Sequence, residues 1–252
     1  MALIVTDAVV LHAFDYMESS RILRLATREA GVQSVVAKGA RRPRTRFGTA
    51  LDLFAEGSAQ FSARRGRELH TLTSFEVART RPALATGIAR FTGAAAIAEL
   101  ALRFGSDETH PEVFDALVEA LDSLAMAPES DAPERGLAGG WTLVGALGFT
   151  PVLDACVSCA NDVPADAEAA FSAAAGGVLC ARCADGVREL RCLPLDARRA
   201  LDAWHSGERA ALADESSIRA HQRLLREFVQ AHLAEGKPLR AFHVWEHERW
   251  SA

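Results

Sequence analysis

The sequence predicts a mixed α+β chain of more than one unit: a β-rich front, an α-helical body, and a small cysteine-bearing element inserted in that body. Three observations predict it. Apolar residues alternate in short runs over roughly the first 80 positions, from Arg81-Pro82 onward they recur with helical period, and between 154 and 193 both patterns fail where four cysteines stand in two pairs. The units read from these changes are 1–80, then 81–153 together with 194–252, and 154–193 between them.

The front reads as five strands. Leu3, Val5, Val9 and Leu11 make the first, before a turn at Asp15–Ser19. Ile22, Leu23 and Leu25 mark a second, closed by a turn at Arg28–Gly31, and Val32–Ala37 a third. Leu51, Leu53, Ala55, Ala59 and Phe61 alternate over a fourth. Arg64-Arg65-Gly66-Arg67 is a hairpin turn into a fifth at Leu69–Val77, with Leu72 and Phe75. Five short strands separated by turn signals predict a small barrel or sandwich.

In the body, Ile88, Phe91, Ala95, Ala98 and Leu102 mark one helix. Val113, Leu117, Leu121 and Leu124 mark another, after the start signal Thr109-His110-Pro111-Glu112. Ala127–Pro133 reads as a linker, and Trp141–Phe149 as a helix ending near Thr150-Pro151. Helical period returns at Leu195–Trp204 and Ile218–Leu233, and Leu239–Trp250 suits a short strand or helix.

Composition, 49% hydrophobic and 24% charged, is that of a globular chain. No apolar run approaches the roughly 20 residues that span a bilayer. Met1–Leu11 has no basic start and carries Asp7 within its apolar run, so no signal peptide is read and a cytoplasmic location is expected. The net charge of −5 averages two unlike halves: residues 1–80 hold 12 Lys+Arg against 8 Asp+Glu, and the remainder 16 against 25. A basic front on an acidic body is expected to meet a polyanion through the front.

Cys156-x-x-Cys159 and Cys180-x-x-Cys183 have the spacing of a four-thiolate zinc site. Two intervening residues let both sulfurs of a pair turn to one ion, and two such knuckles close a tetrahedron. Gly176-Gly177, Phe171 and Val178 suit a short hairpin presenting the second pair. Reduced core thiols would not explain matched pairs, disulfides are rare in the cytosol, and a redox motif lacks its βαβ context. Four thiolates leave no open coordination position, so the zinc is expected to be structural. Cys192 stands outside the spacing and reads as a small buried hydrophobe.

Lys38, Arg41, Arg42, Arg44 and Arg46 place five positive charges in nine residues without an acid, and Gly39, Pro43 and Gly48 make the segment a loop. Arg64, Arg65 and Arg67 add a basic turn, while Arg21 and Arg24 lie on the second strand. Such a cluster repels itself unless an anion relieves it, and the arginine fork suits phosphate. Phe47, Phe54 and Phe61 are the nearby aromatics for stacking, although each also suits the core. No phosphate-cradling Gly-rich loop, Gly-x-Ser-x-Gly or His-Glu-x-x-His occurs, so no enzyme is expected. His243, Glu246, His247 and Glu248 read as a solvated terminal segment around core Val244 and Trp245.

Ala8–Leu23, with its strand running into Tyr16-Met17-Glu18-Ser19, resembles the opening of RecO proteins. Val36–Gly48 is similar to that family's lysine-glycine-alanine-arginine loop, Glu68–Thr73 to its fifth-strand region, and the cysteine pairs to its zinc-bearing members. The resemblance covers most of residues 3–77 by motif and the remainder by pattern. It implies an N-terminal OB-fold, a helical domain and a zinc element. It also implies DNA repair and recombination: binding of single- and double-stranded DNA, annealing, and work with RecR, sometimes RecF, to place RecA on DNA coated by single-stranded-DNA-binding protein. A nucleoid-associated location follows from those partners. Lys38, Arg41, Arg42, Arg44 and Arg46 match the family's basic loop, and Cys156, Cys159, Cys180 and Cys183 its zinc ligands. Three alternatives differ in class: an RNA-binding barrel, a zinc-stabilised adaptor whose loop binds an acidic protein, and a metal-dependent nuclease.

Overall fold

A computed structural model describes residues 2–42, 44–45, 47, 51–63, 66–105, 109–233 and 238–247. The front forms β1 (Ala2–Tyr16), β2 (Ser20–Thr27), β3 (Gly31–Ala37), β4 (Glu56–Ala63) and β5 (Leu69–Arg79). They close into a barrel in the order β1-β2-β3-β5-β4. Neighbours are antiparallel except β3 and β5, which run parallel with Ser34 opposite Leu69. This five-stranded closed barrel is an OB-fold.

β1 is long because it serves two partners. Ala2–Val9 pairs with β4, and Ala8–Tyr16 with β2, with a register shift between Val10 and His12 that turns the strand round the barrel. Ala8, Val10, Leu23, Leu25, Val35, Ala37, Ala59, Phe61, Leu72 and Phe75 fill the interior, plugged by Phe47 and Leu51. The alternation of Leu3, Val5, Val9 and Leu11 marks the other face: Leu3 and Val5 are exposed, and Val9 and Leu11 pack into the body. The fourth strand begins later than its pattern predicts. Residues 51–54 form a turn pinned to β1, where the Phe54 N–H donates to Val10 C=O (2.7 Å) and Val10 N–H to Ala55 C=O (2.9 Å).

Seven α-helices occur among the described residues: α1 (Ile88–Phe104), α2 (Pro111–Met126), α3 (Ala132–Ala146), α4 (Ala181–Ala184), α5 (Leu195–His205), α6 (Glu215–His232) and α7 (Arg240–His247). None is long and apolar enough to cross a membrane. α1 buries Ala89, Gly93, Ala96, Ile97 and Leu100 and leaves Ile88 and Phe91 largely exposed, which corrects the stripe read from the sequence. Small residues set this contact. A Cβ on Gly93 would lie 3.8 Å from Gly136 Cα of α3, and one on Gly136 would lie 2.9 Å from the Trp245 ring. α3 accordingly starts nine residues before Trp141, with Pro133 in its first turn, where the sequence reads a linker.

The terminal helix corrects another expectation. Trp245 is buried but Val244 is exposed, and Glu246 is buried between Arg223 (3.1 Å) and Arg226 (2.6 Å) rather than solvated. Both arginines and burial act on its carboxyl. The ion pairs outweigh the burial and hold its pKa below the ordinary value.

Barrel and body share one core, because Val9, Leu11, Ala26 and Phe54 pack with the helices. Arg81, its side chain 1% exposed, bridges Glu56 (2.5 Å) and the Phe54 carbonyl (2.9 Å) on one side to Asp122 of α2 (2.7 Å) on the other. Arg28 forks onto Asp115 (2.5 and 3.1 Å) and lies over the Phe114 ring at 4.8 Å. These contacts occupy the end of the barrel where β2 meets β3 at Thr27–Gly31, and leave the other end, at Arg21 and Ala37, away from the body.

Candidate nucleic-acid interface and metal centre

At that free end the chain leaves β3 through two successive turns. Ala40 N–H donates to Ala37 C=O (3.4 Å) and Arg42 N–H to Gly39 C=O (3.1 Å). Gly39 takes φ +74°, a conformation glycine adopts without steric cost. Arg41 N–H donates to Ser19 C=O at 3.0 Å, which seats the loop against the β1–β2 turn. Asp15 then accepts from Arg21 and forms an ion pair with Arg41, each at 3.3 Å.

The ten predicted cations divide into three groups. Arg21 and Arg41 converge on Asp15. Lys38, Arg42, Arg44 and Arg67 are exposed, and with Arg24 they have no carboxylate partner among the described residues. Arg46, Arg64 and Arg65 lie outside the described residues. In contrast Arg28, Arg79, Arg81, Arg90, Arg103, Arg191, Arg219, Arg223 and Arg226 all hold carboxylates. Body arginines such as Arg135, Arg188, Arg199, Arg209 and Arg240 also lack a carboxylate partner among the described residues, but they are spread over an acidic body, whereas the open cations of the barrel stand together where an anion can be held.

Register places the open cations around one face. Leu23 and Leu25 point into the barrel, so Ile22 and Arg24 point out. Arg24 pairs with His12 on β1 and Ser34 on β3, and Ser34 with Leu69 on β5. The Lys38–Arg42 turns border this face at the end of β3, and the Gly66–Glu68 turn borders it at the start of β5. Phe47, Phe54 and Phe61 do not contribute, since all three are buried. Phe14, by contrast, is 44% exposed on the outer side of β1, opposite Ile22. Sequence reading missed it because the face it occupies depends on the register shift after Val10.

The second centre lies in 154–193, where β6 (Ala169–Ser172), β7 (Gly177–Leu179) and β8 (Arg191–Leu193) form a sheet of order β7-β6-β8. The Sγ atoms of Cys156, Cys159, Cys180 and Cys183 all lie within 4.8 Å of one another, and this group can hold a metal ion. Each pair sits on a local device. Cys156 C=O accepts from Ala160 N–H (2.8 Å) with Ala160 at φ +57°, and Cys180 caps α4, its C=O accepting from Cys183 N–H (3.0 Å). A bridge between Val152 and Gly177 brings the pairs together, at so close an approach that a Cβ on Gly177 would stand 2.3 Å from Val152 O. Buried Arg198 of α5 clamps the loop by donating to the carbonyls of Leu153, Val163 and Pro164.

The thiols do not ionise alike. The Cys180 backbone N–H pulls Cys156 down to about 6 against the cost of burial, and the Asn161 N–H lowers Cys159. At Cys183 the Ser158 hydroxyl favours the thiolate, but the neighbouring sulfurs of Cys159 and Cys180 and burial outweigh it and push the thiol up to about 11. A cation relieves that mutual repulsion. Arg182 lies beside Cys159 and Cys183, and their thiolates raise its own pKa. Cys192 is exposed, not buried: β8 turns Leu193 inward, so its neighbour faces out, with the thiol 3.5 Å from Glu168.

Two family models match the chain. That described as "Recombination protein O N terminal" covers residues 1–81, and "Recombination protein O C terminal" covers residues 85–241. Among curated proteins, one from Anaeromyxobacter sp. (strain K) named DNA repair protein RecO is 39% identical over 241 residues, 93% of each chain. Proteins of the same name from Rubrobacter xylanophilus and Symbiobacterium thermophilum are each 34% identical. The first match covers 94% of both chains, the second 86% of this chain and 90% of the relative.

Proposed function

We propose, from the premise that this chain belongs to the RecO family, that it is a DNA repair and recombination mediator whose barrel holds single- and double-stranded DNA by the phosphate backbone. The observation that carries the reading is the set of cations on the barrel with no carboxylate to neutralise them. Lys38, Arg41, Arg42, Arg44 and Arg46 form the loop part of the site; Arg21, Arg24, Arg64, Arg65 and Arg67 extend it. Contacts to phosphate release counterions and carry no base identity, so binding is salt-dependent and largely independent of sequence. Cations that screen two strands at once lower their repulsion and favour annealing, with no catalytic group and no nucleotide hydrolysis.

The four cysteines hold a structural zinc in this reading. Sulfurs at about 2.3 Å from a tetrahedral zinc stand about 3.8 Å apart, and Cys159 Sγ and Cys180 Sγ are 3.8 Å apart. RecR and single-stranded-DNA-binding protein are the protein partners, joined only sometimes by RecF, with RecA loaded indirectly, in the cytoplasm at the nucleoid. The test is an annealing assay with complementary labelled oligonucleotides, run without nucleotide and across a salt series. Acceleration that fades with salt is expected. Equal rates with and without the protein at low salt refute the reading, and nuclease-resistant binding to an acidic protein would then favour an adaptor.

A further inference from the structure

The outer face of β1 carries an apolar ring that the phosphate reading does not use. Phe14 is 44% exposed, whereas Phe47, Phe54, Phe61 and Phe75 of the same barrel are all buried. His12, two residues earlier on the same face, stands 5.7 Å away at a tilt of 59°. Arg24 lies across the strand from His12, and its guanidinium has no partner among the described residues. Lys38 and Arg42 border the same face. A bare π-face among unneutralised cations has the composition that an unpaired nucleotide satisfies: the base covers the ring while the phosphate meets the cation.

We infer that Phe14, with His12 beside it, is a base-stacking platform that makes this barrel favour single-stranded over duplex DNA; the inference rests on the phosphate-binding role proposed above. The discrimination follows from geometry. A duplex offers the same phosphates to Arg24 and Lys38 but keeps its base faces stacked inside, so only an unpaired strand can use the ring. Any base has such a face, and the preference is therefore for strandedness rather than sequence.

Phe14→Ala in the full chain is compared with the parent for binding of a labelled oligothymidine and of a mixed-sequence duplex. Stacking of one base is worth roughly 1–3 kcal/mol, so single-strand affinity is expected to fall roughly 5- to 150-fold. Duplex affinity and both salt slopes stay unchanged, since no charge is removed. Phe14→Tyr restores binding, and Phe14→Trp gives an emission that oligothymidine quenches beyond any quenching of the parent. Equal single-strand affinity in parent and Phe14→Ala, equal loss for both DNA forms, or an unquenched Phe14→Trp overturns the platform. If the parent binds and Phe14→Ala binds equally, the platform alone fails; if the parent binds no DNA at low salt, the phosphate reading fails with it. The side chain stands outside both cores, so the variants fold, and a thermal melt checks this.

Discussion

Replacing Lys38, Arg42 and Arg44 together by alanine removes three cations that are exposed and have no carboxylate partner among the described residues. Each cation that neutralises a phosphate of a single strand contributes about −0.7 to the slope of log K against log salt. The triple variant should therefore flatten that slope by about 2. If the lines meet near 1 M salt, the affinity at about 0.1 M falls about 100-fold, close to 3 kcal/mol. Arg41 is the internal control. It shares Asp15 with Arg21 at 3.3 Å, so its charge is already partly answered, and Arg41→Ala should flatten the slope by less than 0.7, the increment of one free cation. Fluorescence anisotropy of a labelled oligonucleotide from about 0.05 to about 0.4 M salt measures both. Parallel lines for parent and triple variant would refute the assignment of phosphate contacts to the loop. A larger effect from Arg41→Ala than from the triple would refute the argument that unneutralised charge is what marks the site.

Chelation, or Cys180→Ser, should release one zinc per chain and lower stability by more than about 4 kcal/mol, because Cys156, Phe171, Val178 and Leu179 belong to the same core as the helices; metal analysis with urea unfolding checks it, and unchanged stability would make the site dispensable. His221 is buried with both ring nitrogens unpartnered, and burial lowers its pKa to about 4 although Asp196 opposes the shift. Its unfolded value is near 6.5, so its contribution is fully present above that pH and is lost as pH falls toward 4; between about pH 7.5 and about pH 5.5 the loss is about 1.3 kcal/mol. His221→Phe should abolish that increment, and parent and variant unfolding free energies with the same pH slope would contradict it.

What the sequence disclosed depended on range. The cysteine pairs and the loop cations are local signals, legible from spacing and composition alone. The barrel was legible because strands alternate with period two, but the side of the alternation was not. Leu3, Val5, Val9 and Leu11 are the conspicuous residues of β1, yet the interior is built from Ala8 and Val10, because β1 is covered on its second face by the helical body. Nearness in sequence to the basic loop points to Phe47, Phe54 and Phe61, which are buried, while the exposure of Phe14 depends on the register shift after Val10. α3 begins nine residues before Trp141 because Gly136 and Gly139 admit α1, α2 and Trp245, and Gly140 admits Leu225 of α6, to close contact, and no apolar period marks a stretch of small residues. Ion pairing was the least legible feature: nothing local marks Arg81 as the buried bridge, because Glu56 and Asp122 reach it from other elements.

That bridge bears on how a polyanion would sit. Residues 81–252 carry 25 acids against 16 bases, and nine of the chain's arginines spend their charge on carboxylates at or within the body. The surplus acid repels DNA over a Debye length of about 8 Å, and the open cations attract it to the barrel. Two loosely linked domains would let these fields average over many orientations. Here Arg81, Arg28 and a shared apolar core fix barrel to body. On the proposed reading, a DNA path along the outer face of β1–β2–β3–β5 would keep a fixed orientation to the acidic surface of the body, which repels the same polyanion.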